Sequence, residues 1–235
     1  MRPTSEATRI PRPMSSPFPP VGRSDTLAQQ AYLAIRVAIQ SESLTAGTFY
    51  SENEVGQLMG ISRTPVREAL IELAREGLVE IFPQRGFQLR VLTPDEASEV
   101  FELRKVLESH VVRRLAVDAT AEQFEQLREV LHRQRECLED QMEFLRLDEE
   151  FHLIMPEFIG HWRTHQILST LRGAMWLIGG KALTASSRSP IVVREHAAIL
   201  EAMEARDPDA AVAAIELHMD STEAAAARIA GPADS

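Results

Sequence analysis

The chain has 235 residues, of which 44% are hydrophobic, enough for two domains with cores of their own. One cysteine and the lack of a long apolar run exclude a disulfide-stapled secreted domain and a membrane-spanning protein, so we expect a cytoplasmic location. The net charge of −10 is unusual for a nucleic-acid-binding protein, but it is unevenly distributed. Residues 1–92 carry ten arginines against nine acidic residues, whereas residues 93–235 carry 15 basic residues against 26 acidic ones. The negative charge therefore belongs to the C-terminal part, and the N-terminal part remains able to approach phosphate.

The N-terminal region begins with a segment that has no apolar periodicity. Residues 1–24 are rich in proline and arginine and are predicted to form a disordered tail. Apolar residues at helical spacing then predict a helix over about Asp25–Ser41. Ser51 with Glu54 three residues later is typical of a capping box, and it predicts a second helix over Glu52–Met59.

A third helix follows a tight turn at Gly60 and ends at Gly77. Ser62 is predicted to cap its first amides, and the arginines Arg63 and Arg67, one turn apart, project from one face. The other face is apolar. A helix that is buried on one side and carries a hydroxyl and two guanidinium groups near its N-terminus suits a DNA major groove. The spacing of the two helices indicates a helix-turn-helix.

Two short runs in which hydrophobic and polar residues alternate follow the third helix. Val79–Phe82 and Phe87–Val91 flank the turn Pro83–Gly86 and predict a β-hairpin with Arg85 at its tip. Three helices and a hairpin make residues 25–92 a predicted winged helix-turn-helix domain.

The C-terminal part, residues 93–235, is predicted to be entirely helical. Thr93, followed by a proline and a glutamate, is a strong helix start. Short connections between long amphipathic helices indicate an antiparallel bundle of six helices, so the fold class is mainly α. The predicted helices cover residues 94–117, 120–139, 141–159, 161–183, 190–206 and 208–229.

Four residues of this bundle suggest a metal site. Asp148 and His152 are four positions apart and so share a face of the third bundle helix, while His196 and His218 lie on the fifth and sixth. Three imidazoles and a carboxylate would bind a divalent transition metal such as zinc or nickel and leave coordination positions open. The alternative is that these are ordinary surface or core histidines, which is the more common role of such residues.

The motifs "SRTPVREAL", "EGLVE" and "P-x-R-G" resemble the N-terminal domain of GntR-type bacterial transcription regulators. The resemblance implies a double-stranded DNA operator as partner. It implies that the DNA contacts are made by Ser62, Arg63, Thr64 and Arg67, with Arg85 and Gly86 entering the minor groove. The chain departs from the family at Asn53, where the family usually has a DNA-contacting arginine.

The resemblance continues through the bundle. "LDEEFH", "REHAAILEAMEARDPDAA" and "LHM" are similar to the effector-binding domain of the FadR subgroup, in its smaller six-helix, VanR-like form. In metal-binding members an aspartate, the histidine one turn later and two further histidines coordinate the ion. The resemblance therefore implies the ligand set Asp148, His152, His196 and His218. His161 and His165, also four residues apart, are predicted instead to cap or pack at a helix start.

An anionic effector would need a further cation in the bundle. The resemblance implies Arg104, in "FELRKVLE", as a cavity residue, and a guanidinium suits a carboxylate. The alternative is an Arg104–Glu108 pair at the rim of the bundle. Arg172 and Trp176, one turn apart, are a second candidate wall; the alternative is that Trp176 belongs to the core, which is the more common position of such a residue.

These patterns predict a homodimeric regulator, with repression as the leading hypothesis, that binds a pseudo-palindromic operator and senses a small carboxylate at the metal site. The alternatives are a sensor of the metal itself and a metalloenzyme that activates water. The spacing of Glu149, Glu150 and Glu195 predicts that their carboxylates point away from the centre, which disfavours the enzyme.

Overall fold

The computed structural model of the protein describes residues 26–41, 43–184 and 188–230, so the predicted tail over residues 1–24, and Asp25, lie outside the described part. The described residues form nine helices and one two-stranded sheet. In chain order these are α1 (Leu27–Gln40), α2 (Glu52–Met59), α3 (Arg63–Arg75), β1 (Val79–Phe82), β2 (Gly86–Leu89), α4 (Pro94–Asp118), α5 (Ala121–Glu136), α6 (Gln141–Phe158), α7 (Trp162–Thr184), α8 (Ser189–Glu204) and α9 (Pro208–Ala230). The predicted fold class, a winged helix-turn-helix followed by six helices, is confirmed.

The N-terminal head is built around α3. Its apolar face, with Val66, Leu70 and Leu73 fully buried, packs against α1, which contributes Ile35. The left-handed conformation of Gly60 (φ +69°) makes the turn between α2 and α3. This packing leaves the opposite face of α3 free of the core, and the N-terminal arginines lie on it.

Two helix starts in the head differ from the prediction. Ser62 occupies the N-cap position of α3, but its side chain makes no capping hydrogen bond, so its hydroxyl is not committed to the helix's own amides. Ser51 accepts its hydrogen bond from the backbone N–H of Asn53, two residues on, rather than from Glu54. In the bundle, Thr93 and Thr120 both form complete capping boxes.

The hairpin is shorter than predicted. Strands β1 and β2 pair antiparallel from Val79↔Leu89 to Phe82↔Gly86, so the second strand starts one residue earlier and ends two residues earlier than the sequence indicated. Phe87 also bridges Tyr50, which ties the hairpin to the segment before α2 through backbone hydrogen bonds of 2.8 and 3.0 Å. The hairpin is therefore docked on the head, with Arg85 exposed at its turn.

The six bundle helices surround one core. Helix α4 packs along α9, α9 along α8, and α6 against α5 and α7. Fully buried aromatic side chains, including Phe101, Phe144 and Phe151, lie between them. The connections that follow α4, α5, α6 and α8 have only two to four residues, which favours antiparallel neighbours. No helix in the described ranges is long and apolar enough to span a membrane.

Candidate functional site

The four residues predicted as metal ligands come together in the middle of the bundle. Asp148 and His152 project from α6, His196 from α8 and His218 from α9, and all four are buried. One potential ligand atom from each lies within 4.8 Å of all the others. The helical spacing explains the first pair, whereas the packing of α8 and α9 brings in the other two.

Each imidazole is held from behind by an oxygen atom. The Nδ1 atoms donate to three carbonyl or carboxylate oxygens: His152 to Oε2 of Glu108, His196 to Oε1 of Gln134 at 2.8 Å, and His218 to Oε2 of Glu195 at 2.8 Å. A proton on Nδ1 leaves Nε2 with its lone pair exposed. Such outer hydrogen bonds orient histidine ligands and raise their basicity toward an ion.

The inward-facing atoms are all electron-rich. Nε2 of His152 lies 3.1 Å from Nε2 of His196, and Oδ1 of Asp148 lies 3.5 Å from the same His196 atom. Oδ1 of Asp148 is buried and has no hydrogen-bond partner among the described residues. Lone pairs that converge without protons between them repel each other, and a buried acceptor without a partner is costly. A cation at this point removes both penalties, so the donor set fits a divalent metal ion.

The protonation states suit this role. Burial, reinforced by the Arg172 guanidinium, lowers the pKa of His152 well below its usual value. Burial also lowers the pKa of His196, to about 3. Burial alone would raise the pKa of Asp148, but the positive charge of Arg172 outweighs it, and the neighbouring imidazoles act in the same direction, so this pKa lies below its ordinary range. At neutral pH, His152 and His196 are therefore neutral and Asp148 is ionised, which are the forms that bind metal.

Both arginines predicted to bind an effector are buried beside this centre. Arg172 on α7 donates from Nη2 to Oδ2 of Asp148, while its Nε and Nη1 atoms are buried without a hydrogen-bond partner in the described ranges. Arg104 on α4 donates from Nε to Oε1 of Glu108 at 2.9 Å. Arg104 is only 2% exposed, so the alternative of an Arg104–Glu108 pair at the bundle rim is wrong in its location, although the pair exists.

One further expectation needs correction, and one open alternative is decided. Glu195 does not point away from the site: it supports His218 and accepts two hydrogen bonds of 2.9 Å from Arg188. Burial would raise the pKa of Glu195, but the hydrogen bonds from His218 and Arg188 lower it to about 2. Of the two positions left open for Trp176, the core is the one observed, and the ring lies under the guanidinium of Arg36, with 3.9 Å between Cζ and the ring centroid.

The remaining histidines of the region lie elsewhere. His161 stacks on His110 with a centroid distance of 5.5 Å, and His165 stacks on Trp162 at 5.4 Å. These contacts surround the start of α7, in line with the expected packing role, and neither histidine joins the cluster of four.

The residues predicted to contact DNA lie on the outer surface of the head. Ser62, Arg63, Thr64 and Arg67 are exposed on the first turns of α3. Arg85 is exposed in the hairpin turn, where its guanidinium lies 4.2 Å from the ring centroid of Phe49. Asn53 is exposed on α2, at the position where the resemblance implies an arginine.

A buried carboxylate organises this surface. Glu52, 5% exposed, accepts a hydrogen bond from Nε of Arg63, and its Oε2 lies 3.9 Å from Nη1 of Arg67. Sequence reasoning assigned Glu52 only to a helix start. Gln134 and Glu195 each hold one imidazole of the cluster, but neither gave a periodic signal that could have indicated its partner.

Comparison with known proteins agrees with this architecture. The family described as "Bacterial regulatory proteins, gntR family" matches residues 27–89, and the FCD domain matches residues 99–221. The HTH-type transcriptional regulator YdfH of Escherichia coli O6:H1 is 31% identical over 206 residues, which cover 87% of this chain and 88% of the relative. The HTH-type transcriptional repressor RspR of Escherichia coli K12 is 31% identical over 193 residues, covering 81% and 85%.

The solved structure of E. coli McbR/YncC has a TM-score of 0.73 and covers 88% of this chain and 99% of its own, at 18% identity, which shows a shared fold. The described residues thus combine a DNA-binding head with a helical FCD domain that encloses a buried aspartate and histidine cluster. The chain belongs to the GntR family of bacterial regulatory proteins and is a DNA-binding transcriptional regulator with an FCD domain.

Proposed function

We propose that the protein is a homodimeric repressor that senses a small carboxylate through a divalent metal ion held in its bundle. The observation that carries this proposal is the convergence of three anchored imidazoles on Oδ1 of Asp148, a buried atom without a partner in the described structure. A purely structural cluster would place a donor against that oxygen.

The ion would be held by Asp148, His152, His196 and His218. Neutral imidazole nitrogens suit zinc or nickel, and the carboxylate adds an anionic ligand. A bound divalent ion would supply positive charge and further coordination positions for an oxygen ligand. Glu108, Gln134 and Glu195 would keep each imidazole in the tautomer that presents Nε2.

The charge balance of the centre supports an anionic effector. The buried guanidinium groups of Arg104 and Arg172 are matched by the carboxylates of Glu108 and Asp148, and His152 and His196 are neutral. A divalent ion would therefore leave about two uncompensated positive charges in a low-dielectric interior, which is unfavourable without an anion. Nε and Nη1 of Arg172 are buried donors that still need acceptors, and a carboxylate offers two.

At the head, Ser62, Arg63, Thr64 and Arg67 would read the major groove while Arg85 and Gly86 enter the minor groove. Two heads related by a dimer axis would span half-sites about one helical turn apart on a pseudo-palindromic operator. The relative RspR is described as a repressor, which favours repression here. An effector changes operator affinity only if it binds one arrangement of the heads more tightly than the other.

A sensor of the metal itself is the second candidate, because the same four ligands would serve it. A metalloenzyme fits less well. Glu149 is paired with Arg36, and Glu150 lies between Arg133 and Arg146, so neither carboxylate faces the centre as an acid or base. The relatives are transcriptional regulators.

The test combines elemental analysis with a thermal-shift screen of small carboxylic acids, with and without chelator. We expect one bound zinc or nickel ion per chain, and stabilisation by an acid that disappears with chelator. The double variant H196A/H218A should lose the metal, whereas His132→Ala, which alters an exposed histidine on α5, should retain it. The absence of metal from the wild-type protein after exposure to zinc and nickel would contradict the proposal.

The DNA-binding assignment is tested separately. Arg63→Ala should abolish retention of an operator selected from random duplexes, while metal uptake remains unchanged because Arg63 is far along the chain from the centre and belongs to the head. Retention of the operator by this variant would refute the role given to α3.

A further inference from the structure

One buried arginine joins the head to the bundle. Arg36 lies on α1 and is 8% exposed. Its Nη2 atom is 2.5 Å from Oε2 of Glu149 on α6, and its guanidinium lies over the ring of Trp176 on α7. Arg36 therefore belongs to a helix of the head, but its guanidinium contacts two helices of the bundle, α6 and α7.

Both of these bundle partners of Arg36 lie within one helical turn, along the chain, of a residue at the centre. Glu149 follows Asp148 in the chain, so the same turn of α6 presents one carboxylate to the centre and the next to Arg36. Trp176 lies one turn after Arg172, which binds the other oxygen of Asp148. A shift of either helix at the centre must therefore move a side chain that holds Arg36.

From Arg36 the contacts continue to the end of the DNA-reading helix. Nη1 of Arg36 donates to Oη of Tyr32 at 2.6 Å, and this hydroxyl donates to the carboxylate of Glu76, with its two oxygens at 2.8 and 2.9 Å. Glu76 is the C-cap of α3. Four side chains thus form a partly buried junction cluster between α6 and α3: Tyr32, Arg36, Glu76 and Glu149.

The backbone gives a second, independent contact between the same elements. A Cβ atom at Gly173 of α7 would collide with the carbonyl oxygen of Glu76, so α7 touches the end of α3 with no side chain between them. One turn earlier, Oγ1 of Thr170 donates to the carbonyl oxygen of Arg75 at 3.2 Å. Closely packed elements transmit displacements because their interface has little free volume to absorb them.

We propose that Arg36 is the residue that couples the state of the centre in the bundle to the position of α3. A movement of Asp148 or Arg172 would displace Glu149 or Trp176, which contact Arg36. Through Tyr32, Arg36 would in turn displace Glu76 at the end of the recognition helix. This inference rests on the proposed function, because it requires a ligand at the centre. The position of α3 would then depend both on the centre in the bundle and on the bound DNA, through these contacts.

The test uses zinc alone as the probe and amide hydrogen exchange of the full chain as the readout. In the wild-type protein we expect zinc to slow exchange in bundle peptides around residues 148–152 and also in the head peptide covering the end of α3. In Arg36→Met, which keeps an apolar stem beside Trp176 without the charge, the bundle should still respond and the head should not. Arg90→Met, which removes a half-exposed arginine paired with Glu96, is the matched control and should behave as wild type.

Operator binding gives a second readout. A change of about fivefold or more in the affinity of wild-type protein for its operator on zinc addition is expected, and Arg36→Met should reduce this factor toward one. If Arg36→Met does not fold, Glu149→Gln removes the same charge pair with little change in size. The coupling role is overturned if exchange in the head peptide of the wild type does not change with zinc, or if it changes equally in Arg36→Met and Arg90→Met.

The two proposals fail in different ways. Protein that takes up no zinc contradicts the proposed metal centre and the coupling together. Protein that takes up zinc, protects its bundle and leaves the head unchanged contradicts the coupling alone.

Discussion

Gln134 accepts a hydrogen bond of 2.8 Å from Nδ1 of His196, although it lies on α5 and faces the centre only through that ring. Its own amide nitrogen is buried and has no hydrogen-bond partner among the described residues, a costly arrangement for a core side chain. An apolar residue would avoid this cost. We infer that Gln134 is needed because its oxygen fixes the tautomer of His196 that turns Nε2 inward.

Gln134→Leu tests that role directly. Loss of the acceptor lets the proton of His196 move to Nε2 and the ring rotate, so affinity for zinc should fall by about 10- to 100-fold. The stability of the metal-free protein should change little, since an unsatisfied polar group is removed as well. Competition against a chromogenic chelator measures the affinity. Gln123→Leu, which removes a cap on the same helix, should lower stability and leave zinc affinity unchanged; equal zinc affinity in Gln134→Leu and wild type would contradict the assignment.

The depressed pKa values of the buried imidazoles predict acid sensitivity of the metal-free protein. The pKa of His196 is about 3 when folded and 6.5 as an ordinary side chain, and that of His152 is lowered in the same direction. Between these values the unfolded chain binds more protons, so stability rises with pH and falls as the pH drops below 6.5. Each imidazole contributes up to about 1.4 kcal/mol per pH unit to this slope.

Urea unfolding in the presence of chelator at pH 7, 6 and 5 measures this dependence. The free energy of unfolding should fall steadily below pH 6.5. The same experiment on H196A/H218A should give a shallower slope, because one of the buried neutral rings with a lowered pKa is gone. A flat profile between pH 6.5 and 5 in the wild type would mean that the histidines are not buried in the neutral form.

Removing Arg172 should affect the metal-free protein more than the loaded one. Arg172→Met leaves the carboxylate of Asp148 buried without its cation, which costs about 3–5 kcal/mol when no other positive charge is present. An ion at the centre replaces part of the lost charge. The stabilisation produced by zinc, measured by urea unfolding with and without chelator, should therefore be larger in the variant than in wild type. Equal stabilisation by zinc in Arg172→Met and in wild type would show that Arg172 does not affect the centre.

Glu52 should control how selectively the head binds DNA. Glu52→Gln frees Arg63 and Arg67 from the buried carboxylate and removes one negative charge from the head, so affinity for random duplex should rise. Affinity for the selected operator should not rise with it, and the ratio of the two should fall by about tenfold, within the range that one well-placed arginine contributes.

Fluorescence anisotropy at matched salt measures both affinities. Glu54→Gln makes the same change in charge on an exposed residue of the same helix and should raise both affinities alike. A specificity ratio in Glu52→Gln that equals the ratio in Glu54→Gln would show that Glu52 acts only through its charge.

The four residues of the centre could be predicted from the sequence, whereas the side chains that hydrogen-bond to them could not, for a physical reason. Asp148 and His152 share a helix face by periodicity, and the motifs around His196 and His218 resemble a known pattern. Partners such as Gln134 lie 62 residues from the histidine that they hold, and only the packing of α5 against α8 brings them together. The Arg36–Glu149 pair spans 113 residues and two domains. The first residues of α3 were predicted from local spacing, but the missing Ser62 cap depends on the conformation actually adopted there.

The hairpin offers a matched pair of glycine substitutions. Gly86 has a φ of +107°, and a Cβ atom there would collide with the carbonyl oxygen of Tyr50, which forms the bridge to Phe87. Gly60 also has a positive φ, of +69°, but a Cβ atom there meets nothing within 4 Å. Gly60→Ala should therefore cost only the left-handed backbone strain, about 1 kcal/mol, while Gly86→Ala should cost more than about 2 kcal/mol and undock the hairpin. Urea unfolding gives both values, and operator affinity should fall much further in Gly86→Ala; equal losses of stability in the two variants would show that the Tyr50 contact does not hold the hairpin in place.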